Sequence, residues 1–221
     1  MNLNEFNSLT DLFFYQAEKQ ISESIFLEWL NPKNKKIFTW SETSSNIYKF
    51  AKILKAYVRE DDRCLLVSEN RPEWLISDMA IMLANAITVP AYTTYTENDY
   101  KYLIEDCEPA IIVVSNNEMH KKLQKIIEEK SFIKKVITFE KIDGVDYENK
   151  YIDFNSIIKK DLQENDKIKN LIYQNLNLSF LTNIDFILIY LIYIFIYIIR
   201  DTYSYLNYSI FNGFIKYISI L

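Results

Sequence analysis

The chain has 221 residues, enough for one domain or one domain with an appendage. Its net charge of −5 offers no basic surface for nucleic acid. Gly occurs only twice, at Gly144 and Gly213, where ordinary composition runs near ~7%. Loops that wrap phosphates need a bare backbone, so this composition argues against a nucleotide site built from these residues alone.

In chain order, Asn7 to Lys19 reads as an amphipathic helix with Leu9, Leu12, Phe13 and Ala17 on one side. Phe26–Leu30 and Ile37–Trp40 flank Asn31-Pro-Lys-Asn-Lys35, the pattern of a hairpin. Ser41 is in position to cap a helix carrying Ile47, Phe50, Ala51, Leu54 and Val58. Cys64–Val67 is a short buried strand. Pro72 suits a helix's first turn, Asn70 can supply the capping oxygen, and Glu73 sits near the positive end of the dipole. From Trp74 to Ala84 that helix is apolar nearly all round, which predicts cover on more than one side. Asn85 stands where it must stop, and Asn tolerates a left-handed cap.

Ile87–Pro90 is a second strand. Thr96 and Asp99 have capping-box spacing, ahead of a stripe of Tyr100, Leu103, Ile104 and Cys107 that Pro109 ends. Ile111–Val114 is a third strand. A helix around Met119, Leu123, Ile126 and Ile127 precedes a fourth strand at Val136–Phe139. Aliphatic strands separated by single helices indicate βαβ units. The predicted fold class is α/β, a parallel sheet covered on both faces with right-handed crossovers.

Cys64 and Cys107 each lie in an apolar run and read as two buried thiols in a reducing compartment, not a disulfide or metal pair. The single His, His120, precedes Lys121 and Lys122 and reads as solvated on a helix surface. Residues 1–20 lack a continuous apolar core, so no signal peptide is expected.

Several segments occur together in a telling order: Thr39-Trp-Ser-Glu42, Asp62-Arg63, Asn70-Arg-Pro-Glu-Trp74, Leu83-Ala-Asn-Ala86 with Val89-Pro90, Pro90-Ala-Tyr92, and Leu103-Ile-Glu-Asp106. This series resembles the N-terminal part of the long-chain acyl-CoA synthetases, in the AMP-dependent, adenylate-forming ligase superfamily. Asp61 and Asn85 stand where that family usually has Gly. The resemblance covers roughly residues 8–158 and implies a sandwich like the N-terminal subdomain of those ligases. In the family Asn70, Arg71, Pro72, Glu73, Trp74, Pro90, Tyr92 and Asp106 belong to scaffold. Each also has a plain structural role: Asn70 and Glu73 start a helix, Arg71 and Asp106 partner loops or each other, and Trp74 is core. Tyr92 is the one placed near the family's cleft.

The family joins a fatty acid to coenzyme A through an acyl-adenylate, using ATP and Mg²⁺. Its chemistry resides in a Thr/Ser/Gly-rich loop ending in Lys-Gly, a Thr-Glu pair for Mg²⁺, an Asp for the ribose and a Lys on a small C-terminal domain. No such loop occurs in the 221 residues, and Thr96-Glu97 comes too early to be the metal pair. No Ser/His/Asp set or GxGxxG substitutes for them. The expectation is therefore a fragment of a long-chain fatty acid–CoA ligase, inactive alone, with no catalytic, cofactor or metal residue of its own. ATP, Mg²⁺, coenzyme A and the fatty acid belong to the intact family.

Composition breaks near residue 171, and the predicted boundary separates a 1–165 body from a 166–221 tail. From Leu171 to Leu221, Ile, Leu, Tyr, Phe and Asn make up 39 of 51 residues, and Ala, Val, Glu and Pro are absent. All five can be encoded by A and T alone, as in AT-rich DNA read out of frame or intergenic DNA; a selected membrane anchor is the competing account. Phe186 to Ile199 is unbroken apolar sequence, about 21 Å as a helix against a core of ~30 Å. Extension back to Leu178 admits Asp185, at a cost of about 2–3 kcal/mol. The alternative function is accordingly a membrane-tethered α/β module binding a protein or lipid partner. Its body would be cytoplasmic, held there by Lys159, Lys160, Lys167 and Lys169.

Overall fold

The computed structural model describes Phe6, residues 8–30 and residues 35–159. The expectations for the tail, including the Phe186–Ile199 segment and the boundary at 165/166, lie outside the described residues.

Helix α1 (Leu9–Lys19) is capped by Ser8 Oγ, which accepts from Asp11 N. Strands β1 (Ile25–Trp29) and β2 (Lys36–Thr39) form the anticipated antiparallel hairpin, with Trp29 opposite Lys36 and Leu27 opposite Phe38. Helix α2 (Trp40–Leu54) begins two residues earlier than a cap at Ser41 would set it. Thr39, not Ser41, caps it in a reciprocal box with Glu42, because Glu42 can return a hydrogen bond to the Thr39 N–H.

Strand β3 (Arg63–Val67), helix α3 (Pro72–Leu83), strand β4 (Ile87–Ala91), helix α4 (Glu97–Cys107), strand β5 (Ile111–Val114), helix α5 (Asn117–Glu129) and strand β6 (Lys135–Thr138) follow in alternation. Strand β7 (Tyr151–Asp153) and helix α6 (Phe154–Ile158) complete the described body and were not anticipated. The larger sheet is parallel throughout, in the order β4-β3-β5-β6-β7.

Register distributes the strand residues between two cores. Leu65, Ile112, Val136 and Tyr151 are paired along one row and face α4 and α5, against Tyr100, Ile104, Leu123 and Ile127. Leu66, Val113 and Ile137 fill the next row and face the other way, against Ile47, Phe50, Ile76, Ile81 and Phe154. Period-two alternation therefore still operates, but both faces are apolar, so the strands read as unbroken hydrophobic runs.

Helix α3 is buried on several sides, as its composition requires, and Trp74 is half-buried against the core. Its N-cap is Arg71 without a side-chain cap bond; Asn70 stands one residue too early for that role. Among the described residues three non-Gly residues have positive φ: Asp61 (63°), Asn85 (63°) and Glu108 (42°). Asn85 ends α3 in the left-handed region as expected, and its carbonyl accepts from Asp61 N at 2.9 Å. Two positions where the resemblance calls for Gly thus have left-handed backbone with Asp or Asn in place.

Candidate functional site

In an open parallel sheet the natural ligand crevice lies at the carboxyl ends of the strands, where the strand order reverses. Here the reversal falls between β3 and β5. The residues delivered there are Ser68, Glu69, Asn70 and Arg71 after β3, Ser115 and Asn116 after β5, and Phe139 and Glu140 after β6.

An ion cluster dominates this edge. The Arg71 guanidinium donates through Nε to Glu73 Oε2 at 3.0 Å and through Nη1 to Glu140 Oε1 at 2.8 Å. Its flat group lies 4.8 Å from the Trp29 ring and 5.5 Å from the Phe139 ring. Lys36, from the hairpin, closes on the same Glu73 carboxylate. Burial alone would raise the Glu73 carboxyl, but the hydrogen bonds from Arg71 and Lys36 outweigh it and hold the group below its ordinary value. Glu73 is 2% exposed and Arg71 is 8% exposed, so the pair is a desolvated ion pair. It fastens the hairpin, the start of α3 and the end of β6 to one another.

A second polar link crosses the reversal point. Asn116 Nδ2 donates to Glu69 Oε1 at 2.9 Å, while Asn116 Oδ1 caps α5 by accepting from Met119 N. The strand ends are tied by Ser115 N to Val67 O and Glu140 N to Ser115 O, each 3.0 Å. Ser115 Oγ is buried without a hydrogen-bond partner among the described residues.

This edge does not fit a nucleotide phosphate. Helix α3 opens on Pro72, which has no N–H, and on the Glu73 carboxylate. Helix α5 opens on its own Asn116 cap beside Glu69. The Glu73 carboxylate stands at the start of α3, and at the start of α5 the Asn116 side chain already takes the Met119 N–H. Among the described residues no group of three or more His, Cys, Asp or Glu is arranged to hold a metal ion.

The sequence-selected residues separate into two locations. Asn70, Arg71, Pro72, Glu73 and Trp74 gather at the carboxyl edge. Pro90 and Tyr92 mark the same end of β4; Pro90 is exposed, and the half-buried Tyr92 accepts from Tyr100 Oη through its carbonyl at 2.7 Å. Asp106 is exposed at the opposite edge, near the end of α4, where the neighbouring Cys107 carbonyl receives Arg63 Nε from the start of β3. Arg71 and Asp106 are therefore not partners; Arg71 takes Glu73 and Glu140.

Among the buried ionisable groups away from this edge are His120 and Asp78. His120 is 2% exposed, not solvated, and its Nε2 is 2.8 Å from Tyr151 Oη. Its spacing held the signal: 120, 123 and 127 share a helical face with Leu123 and Ile127, and the adjacent lysines masked it. Asp78, on α3, is 1% exposed, and its Oδ2 makes no hydrogen bond among the described residues. Burial pushes its carboxyl up to about 7; the Thr88 hydroxyl on β4 opposes that rise, although the two groups fall outside hydrogen-bond geometry. Cys64 is buried and free, its thiol pushed up to about 12 by burial, so it is inert; Cys107 is free and half-buried. Among the described residues no helix is long and apolar enough to cross a membrane.

Comparison with known proteins places this architecture. Residues 13–173 match the AMP-binding enzyme family. A long-chain-fatty-acid–CoA ligase of Mycobacterium tuberculosis is 33% identical over 63 residues, 28% of this chain and 10% of that protein. A medium/long-chain-fatty-acid–CoA/3-oxocholest-4-en-26-oate–CoA ligase of Mycolicibacterium smegmatis is 27% identical over 130 residues, 58% of this chain and 23% of that protein. The chain thus spans a small part of the curated relatives that it matches. The luciferase-like enzyme of the mealworm Zophobas morio shares the fold, with a TM-score of 0.60 at 18% identity over 75% of this chain and 37% of that one. An anthranilate CoA ligase solved with anthranoyl-AMP gives a TM-score of 0.58 at 19% identity, over 72% of this chain and 29% of its own. By sequence match over most of its length and by the fold of its described body, the chain belongs to the AMP-binding enzyme family.

Proposed function

We propose that residues 8–159 are the N-terminal scaffold of an ATP-dependent long-chain fatty acid–CoA ligase, and that the 221 residues supply no group that performs its chemistry. The observation that carries this reading is the carboxyl edge of the sheet. An internal ion cluster of Lys36, Glu73, Arg71 and Glu140 occupies it, and α3 starts there on Pro72 and the Glu73 carboxylate. Such an edge positions neighbouring structure and does not cradle phosphate. The sequence agrees, since it holds no Thr/Ser/Gly loop ending in Lys-Gly. The fatty-acid substrate class follows the ligases matched in sequence. ATP, Mg²⁺ and coenzyme A would then be held by residues outside these 221.

The coding DNA tests the reading. Translated in its other two frames downstream of about codon 165, it is expected to yield a small-residue loop ending in Lys-Gly. Noncoding sequence in both frames would count against the ligase-fragment reading.

A further inference from the structure

We propose that His120 is an acid-sensitive latch, and that its protonation releases β7 and α6 while the inner strands of the sheet stay folded. The inference does not depend on the ligase reading. His120 is the only His of the chain, and it lies 2% exposed under the last strand of the sheet. Its Nε2 meets Tyr151 Oη at 2.8 Å, and the two rings stand edge to face with centroids 5.4 Å apart. This contact joins α5 to β7 on the sheet face that α4 and α5 cover.

The groups around the imidazole offer a proton little compensation. From β7 comes the Tyr151 phenol, itself 7% exposed. From the loop before β7 comes Tyr147, with its ring 6.2 Å from Tyr151 and its hydroxyl engaged with Thr138 Oγ1 and Ile142 N. On α5 itself Glu128 is the carboxylate that acts on His120, two turns away, and Lys122 is turned to the Thr93 carbonyl. Desolvation is the larger influence and lowers the imidazole's proton affinity; Glu128 only partly opposes it. Charging the ring therefore places an ion among tyrosines and aliphatic side chains.

Release should be local. Strand β7 has three residues, pairs only with β6 among the described strands, and leads into a five-residue helix. Strands β3 and β5 are bonded on both sides. Elements with few ladder bonds open at free energies well below the global value. The released segment is also the junction through which the chain continues past Lys159.

Amide hydrogen exchange on the full chain in mild detergent tests this, with protection corrected for the intrinsic rate. Between about pH 7.5 and about pH 5, protection across 151–158 should fall at least about tenfold relative to 111–114. In His120→Gln, which cannot be charged but can still bond Tyr151, that difference should vanish. A pH-independent pattern, an equal loss across the sheet, or a pH response surviving in His120→Gln would overturn the proposal. The imidazole signal in NMR needs no variant: titration at or above the ordinary value near ~6.5 would also overturn it.

Discussion

Asp78 puts a carboxyl on the buried side of α3, against a Thr88 hydroxyl that does not complete a hydrogen bond with it. Its proton affinity is raised by burial from the ordinary 3.8 to about 7, so the folded protein holds a proton that the unfolded chain gives up. Stability from this group is full below about pH 4, falls as pH rises toward about 7, and is level beyond. Asp78→Asn removes the titration. At about pH 8 we expect it to be more stable than the parent by on the order of 1–3 kcal/mol, measured by urea unfolding. A less stable Asp78→Asn at that pH would mean that the carboxylate is ionised and satisfied. His120 acts in the opposite sense: its lowered value costs stability as pH falls below about 6.5.

The backbone at Glu108, Asp61 and Asn85 gives a second residue-scale test. All three have left-handed φ, and Asn and Asp tolerate it better than Glu. Replacement by Gly should therefore raise the unfolding free energy in urea most for Glu108, by about 1 kcal/mol, less for Asp61 and least for Asn85. The reverse order would show that lost side-chain contacts outweigh backbone strain. The sequence exposed two of these positions because the resemblance calls for Gly at 61 and 85. Glu108 gave no such signal; Pro109 marked the helix end but not the left-handed residue before it.

Element by element, what was legible followed from burial. Strands β3, β5 and β6 announced themselves because both sheet faces are covered there, which leaves apolar runs too short for a helix; β4, at the edge of the sheet, is largely exposed or half-buried and showed only as the short Ile87–Pro90 run. The Thr96–Asp99 box and the Asn85 stop were legible because capping is local chemistry. Strand β7 was not, since Tyr151-Ile-Asp153 is too short to show a period. The ion cluster was not legible. Arg71 was expected to partner a loop or Asp106 and Glu73 to start a helix, and Lys36 and Glu140 lie 37 and 69 residues from their partners. The cluster's job of joining hairpin, α3 and β6 yields a prediction. Arg71→Ala leaves Glu73 buried with only Lys36 and should cost about 3 kcal/mol in urea unfolding. A loss within about 0.5 kcal/mol would place the junction's strength in the Trp29, Phe139 and core packing instead.

For the whole molecule, the family was legible from the order of small motifs, and residues 13–173 bear it out. The body's sandwich was legible for the same reason. Residues 171–221 lie outside the described body, and their composition differs from it. We propose that they contribute nothing to its fold. A chain ending at Asn165 should then be more soluble than the full chain and keep most of its helical signal. If removal of the tail lowers soluble yield or opens the body to limited proteolysis, the tail is an integrated element.

We propose that these 221 residues carry the scaffold of an acyl-CoA ligase without its chemistry. The most direct measurement is pyrophosphate release from ATP with palmitate, Mg²⁺ and coenzyme A, using the full chain. The rate should equal that of the blank without protein. A reproducible rate abolished by a single substitution in this chain would contradict it.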